Sequence, residues 1–63
     1  MIMIEFLRRK KGLNQSQLGE LIGVTTQTIS NWETEKLDPP VSRYKQLAKV
    51  FDLENWTELT KEV

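Results

Sequence analysis

Apolar residues in this chain recur at three- and four-residue spacing in short groups, each bounded by helix start or stop signals. That rhythm predicts about five short helices. The first is expected over about residues 2–11, with Ile4 and Leu7 facing inward and Met3 a third candidate. Gly12 stands where a left-handed residue would stop it. Asn14 and Gln17 have the spacing of a capping box, which opens a second helix whose stripe is Leu18, Leu21 and Ile22. Gly23 ends that helix. A third begins near Thr25 or Thr26, whose hydroxyls can cap free amides, and turns Ile29 and Trp32 inward behind Val24. Pro39 and Pro40 forbid helix continuation, so residues 34–40 form a loop. A fourth helix is expected over about residues 40–51, with Val41, Tyr44, Leu47, Ala48 and Phe51 on one face and Asp52 as its candidate terminator. Asn55 and Glu58 repeat the capping-box spacing and open a last helix carrying Trp56 and Leu59, with Val63 a further candidate. No segment alternates apolar and polar residues long enough for a sheet. The expected fold is all-α.

Composition narrows the chemistry. At 63 residues the chain reads as one small domain, residues 1–63, near the lower limit for a core without staples. It has neither cysteine nor histidine, which removes disulfides, thiolate nucleophiles and soft metal ligands. No metal or cofactor is expected. Nor is an enzyme, because so short a chain can scarcely enclose a pocket of perturbed acids and bases. The longest apolar run is Met1 to Ile4, so no segment can span a bilayer, and the order of charge and apolarity is the reverse of a secretory signal. A soluble cytoplasmic protein is the expectation. Nine Lys and Arg balance nine Asp and Glu, which sits badly with binding a polyanion. Distribution counts for more than the sum. Arg8, Arg9, Lys10 and Lys11 form one basic run, whereas Asp52, Glu54, Glu58 and Glu62 gather at the other end.

Residues 14–33 carry the functional signal. Two short helices can cross closely only if the contact is small and the turn tight; Gly19 supplies the first and Gly23 the second. Leu18, Ile22, Val24, Ile29 and Trp32 form the wedge beneath. Left outward on the third helix are Thr25, Thr26, Gln27, Ser30 and Asn31, short uncharged groups rich in paired donors and acceptors. Such amides can bond adenine through two atoms, and threonine can touch a thymine methyl. The blander reading of that face is an ordinary solvated helix surface. For Arg8 to Lys11 a solvated helix end is favoured over a phosphate clamp, since cations suit a helix C-terminus. Trp32 and Trp56 read as core or interface before base-stacking platforms. Trp56, Leu59 and Val63 stand open between core closure and a dimer surface.

In register, Ile4, Leu7, Arg8, Gly12-Leu13-Asn14-Gln15, Leu18-Gly19, Gly23-Val24, Ile29-Ser30-Asn31-Trp32-Glu33, Pro39, Leu47-Ala48 and Phe51 resemble the phage repressor and Cro type of helix-turn-helix domain, also called the xenobiotic-response-element type. The resemblance spans residues 4–51. It implies a five-helix bundle, of the lambda-repressor-like kind, that binds double-stranded operator DNA, commonly as a homodimer on a palindromic site. By position, Thr26, Gln27 and Asn31 would read base edges, with Thr25 and Ser30 at the margin between base and phosphate. Gln15 would bond a phosphate at the start of the second helix. Lys36, the only cation in the following loop, would meet another. Arg8 and Glu33 match a pair that ties the first helix to the end of the recognition helix. A bacterial or phage-encoded regulator acting in the cytoplasm at the nucleoid, most simply a repressor, is thereby implied, with no membrane and no small-molecule ligand. Two departures stand out. Gly19 replaces a common alanine, and Glu35 replaces a glycine that commonly ends the recognition helix. The rival expectation is a protein-interaction module, such as an antitoxin or regulatory subunit, that keeps the bundle without strong DNA binding.

Overall fold

The computed structural model describes residues 3–60. Within them lie four α-helices: α1 (Met3–Lys10), α2 (Gln15–Ile22), α3 (Thr26–Glu33) and α4 (Val41–Val50). A 3-10 helix, Trp56–Thr60, closes the order, and no strand occurs among the described residues. The fold is all-α as expected, but the fifth α-helix is not formed. The Asn55 carboxamide accepts from the Thr57 amide at 3.0 Å, two residues on, instead of making the expected capping box, and the five residues that follow wind more tightly.

The start of α2 follows its sequence signal. Asn14 Oδ1 accepts from the Gln17 amide at 2.7 Å while Gln17 Oε1 accepts from the Asn14 amide at 2.9 Å, so two otherwise free donors are satisfied. Gly23 then takes φ 78°, the left-handed value that lets α2 stop and α3 begin within a few residues. Thr25 caps α3, its hydroxyl accepting from the Thr28 amide at 3.2 Å. Gly19 meets the turn from the other side. A Cβ there would lie 2.6 Å from the Val24 carbonyl oxygen, so the missing side chain is what allows α2 to approach the turn this closely.

Every element contributes to one core: Ile4 from α1, Leu18 and Ile22 from α2, Ile29 and Trp32 from α3, Leu47 and Ala48 from α4, then Phe51 and Leu59. Two expected core residues are not there. Leu21 is 59% exposed. At 3.6 residues per turn it lies roughly 60° off Leu18, on the side away from Ile22 and Gly19, and the crossing with α3 uses only that narrower arc. Val41 is 49% exposed, because it is the first residue of α4, a turn ahead of Tyr44, where packing against the core begins. Leu59, held open as a dimer-surface residue, is instead buried at 4% exposure and closes the core. Trp56 is half-buried and stacks on Tyr44 with ring centroids 5.6 Å apart. Burial, and secondarily the charge of Asp38, raises the Tyr44 pKa above its ordinary value. Val63 lies outside the described residues.

The end of α3 has an unusual occupant. The Lys36 amide donates to the Asn31 carbonyl at 2.9 Å and the Glu35 amide to the Trp32 carbonyl at 3.3 Å, the paired bonds of a Schellman stop. Such a stop needs a left-handed residue, and here it is Glu35, at φ 63°. A side chain in that conformation costs roughly 1–2 kcal/mol, and glycine would return about 0.5–1 kcal/mol of that as chain entropy. Glu35→Gly is therefore expected to stabilise the domain by about 0.5–1 kcal/mol, seen as a rise in Tm of a few degrees. An unchanged or lower Tm would show that the strain at Glu35 is no larger than the chain entropy that a glycine adds.

Candidate nucleic-acid interface

The outer face of α3 is built from polar groups with few apolar neighbours. Thr25, Thr26 and Gln27 are exposed, and Ser30 and Asn31 are half-buried. Ile29 and Trp32, at helical spacing on the opposite side, are buried and anchor the helix. At 3.6 residues per turn, Thr26, Gln27, Ser30 and Asn31 fall on one arc opposite that anchor, and Thr25, the N-cap, stands at the head of the helix. Two internal bonds organise this face. Gln27 Nε2 donates to Asn31 Oδ1 at 3.0 Å, one turn along the helix. The Thr25 and Thr28 hydroxyls lie 2.9 Å apart, in hydrogen-bond contact.

Beneath this face one carboxylate gathers three segments. Arg8 Nε donates to Glu33 Oε2 at 2.6 Å and Nη2 to Glu33 Oε1 at 3.1 Å, a two-point contact between α1 and the last residue of α3. The third arm of the same guanidinium, Nη1, donates to the Leu13 carbonyl at 2.7 Å, fixing the link into α2. Gln15 Nε2 donates to Glu33 Oε1 at 3.1 Å, so the first residue of α2 joins the cluster. The side chains are nearly enclosed, with 10% of Arg8 and 4% of Glu33 exposed. The hydrogen bonds that Arg8 donates to Glu33 raise the Arg8 pKa above its already high ordinary value, against the opposing effect of burial and with added help from the charges of Glu33 and Glu5. Arg8 is thus charged at any working pH.

Gln15 was expected at a phosphate. One of its two amide hydrogens is engaged by Glu33, which leaves the second for an outside acceptor. Lys36 is exposed just beyond α3. The basic run is dispersed rather than presented as a patch. Arg8 turns inward, Arg9 lies 3.5 Å from Glu5, and Lys11 lies 3.0 Å from Asp52. Arg43 escaped notice in the sequence. Its Nη1 donates to the Ile22 carbonyl at 2.8 Å and to Gln46 Oε1 at 2.7 Å, so α4 holds the free C-terminal end of α2 just before the turn. The signal was weak: a cation 21 residues from the carbonyl that it caps.

Two short helices joined through a left-handed glycine, the second with a buried anchor side and an exposed amide and hydroxyl side, define a helix-turn-helix domain. The chain belongs to the helix-turn-helix family, of the xenobiotic-response-element type, whose model matches residues 4–59. It is similar to the HTH-type transcriptional regulator PuuR of Escherichia coli (strain K12) and to that of Shigella flexneri. Identity to each is 38% over 47 residues, covering 75% of this chain and 25% of each relative. The chain thus spans about a quarter of the length of the curated relatives it matches. No solved structure matches it.

The ion pair makes a sharp prediction. Arg8→Met leaves the Glu33 carboxylate enclosed without its counter-charge and should cost on the order of 3–5 kcal/mol in urea unfolding. The double variant Arg8→Met with Glu33→Leu should recover much of that loss, since both charges go together. If the two variants are equally unstable, the damage comes from lost packing rather than from an unpaired charge.

Proposed function

We propose that this chain is a sequence-specific DNA-binding transcriptional regulator that inserts α3 into the major groove of its operator. The observation that carries this reading is the outer face of α3. Thr26, Gln27 and Asn31 offer hydroxyls and amides on one side of a helix whose other side is buried in the core. Those groups match base edges, where hydrogen-bond donors and acceptors distinguish one pair from another. Thr25 and Ser30 flank the same surface. The capped start of α2, with Gln15 beside it, and Lys36 are the assigned phosphate contacts. The relatives named as transcriptional regulators support the same class.

Repression is the simplest action for such a domain, because occupancy of an operator alone excludes competing proteins. Two copies on a palindromic site would place their α3 helices about 34 Å apart, one duplex turn. Gln15, Thr25 and Lys36 would then orient each copy, leaving Gln27 and Asn31 to choose the sequence.

Balanced charge favours a second reading, a protein-interaction module such as an antitoxin or regulatory subunit. A mobility shift with random-sequence and selected duplexes, at low and moderate salt, separates the two. Specific binding that survives moderate salt is the expected outcome. Gln27→Ala should weaken the selected site by about 1–3 kcal/mol and leave random DNA nearly unaffected. Equal losses on both duplexes would deny Gln27 a role in base reading, and no binding at either salt would favour the interaction module.

A further inference from the structure

The bond between Gln27 and Asn31 limits what Gln27 can present. A glutamine side chain has one acceptor oxygen and two N–H donors. With one donor committed to Asn31 Oδ1 at 3.0 Å, Gln27 is left with one N–H and a free Oε1. In the major groove, adenine shows an acceptor at N7 beside a donor at N6, whereas guanine shows two acceptors, N7 and O6. One donor and one acceptor complement adenine through two bonds. Guanine would need both N–H groups from the same amide, and one is already in use. Thymine and cytosine each offer a single polar group there, so neither can satisfy both free atoms of Gln27.

Burial says which partner steers which. Gln27 is exposed and free to reach a ligand, whereas Asn31 is half-buried. The Asn31 backbone carbonyl also accepts the Lys36 and Leu37 amides at the end of α3, at 2.9 and 3.3 Å. Those backbone bonds hold the Asn31 residue in place at the helix end, and it is the more enclosed of the two. We infer that Asn31 acts as a positioning residue for Gln27, occupying one of its donors and so setting it to prefer adenine over guanine. This inference rests on the DNA-binding reading and adds a specific base to it.

The test is selection from random duplexes with the wild-type chain, Gln27→Ala, Asn31→Ala and Asn31→Asp, with thermal melts to confirm that each variant is folded. Gln27→Ala identifies the operator position that Gln27 reads, as the one whose preference disappears. Wild-type protein should hold adenine over guanine there by on the order of ten- to a hundredfold. Asn31→Ala frees the second N–H and should reduce that ratio about tenfold or more. Asn31→Asp keeps an acceptor for Gln27, so it should retain the adenine preference even as phosphate repulsion weakens overall affinity. A guanine at the position, or an adenine-to-guanine ratio unmoved by Asn31→Ala, overturns this inference while leaving the regulator reading intact. Failure of the wild-type chain to enrich any sequence overturns both.

Discussion

The Glu33 carboxylate is the point on which the geometry of the domain turns. It sits at the last residue of α3, where the helix dipole is negative and a carboxylate by itself is unfavourable. Arg8 reverses that balance by meeting it with two N–H groups from α1, and Gln15 adds a third donor from α2. Three segments distant in sequence therefore share one anchor. Burying such a pair yields little net stability, because desolvation consumes most of the attraction. What it supplies is direction. Any tilt of α3 relative to α1 lengthens bonds that cannot be replaced by water in so enclosed a place.

A second constraint, purely steric, fixes α3 against α2. Gly19 lets the α2 backbone come within reach of the Val24 carbonyl, and the Val24 amide in turn donates to the Gly19 carbonyl at 2.9 Å. The turn is thus held by one backbone bond and by close steric contact. The loss of helix propensity at Gly19, about 1 kcal/mol relative to alanine, is thus coupled to the approach of the two helices. An alanine there would push on backbone, not on a side chain that could swing away. Arg43 completes the bracing by holding the α2 carbonyl end from α4. The exposed face of α3 is consequently mounted on contacts at both ends and along its back, which limits the entropy lost when a rigid surface docks.

Local signals were the ones legible in the sequence. The Asn14–Gln17 box, the left-handed Gly23 and the Thr25 cap depend on residues within four positions of each other, and each forms as expected. Core residues at helical spacing were also readable, except where a helix end or a narrow contact decided burial, as at Val41 and Leu21. The Asn55–Glu58 spacing misled because the Asn55 carboxamide turns to the nearer Thr57 amide, and the described residues that follow wind as a 3-10 helix. Long-range polar contacts divide the same way. Arg8 with Glu33 was accessible through family register, whereas Arg43 on the Ile22 carbonyl has no sequence pattern at all, since a backbone acceptor leaves no mark in the residue type. Gln27 and Asn31 had the right four-residue spacing, but only the structure shows which amide donates.

Balanced charge takes on a definite meaning once the cations are placed. Arg8 and Arg43 are turned to internal acceptors, and Arg9 and Lys11 lie against Glu5 and Asp52. Four of the nine Lys and Arg thus serve the fold or meet local carboxylates. Exposed Lys10, Lys36, Lys45 and Lys49 are spread over α1, the loop after α3, and α4, rather than lining the face of α3. Counterion release scales with the number of phosphates neutralised, so a single copy gains little non-specific affinity from so few cations. Weak non-specific attachment raises the relative weight of short-range base contacts. Under the proposed reading, selectivity would rest on a few well-oriented amides held against the groove, and tight occupancy would need a second contact on the same duplex, which linkage makes effectively intramolecular.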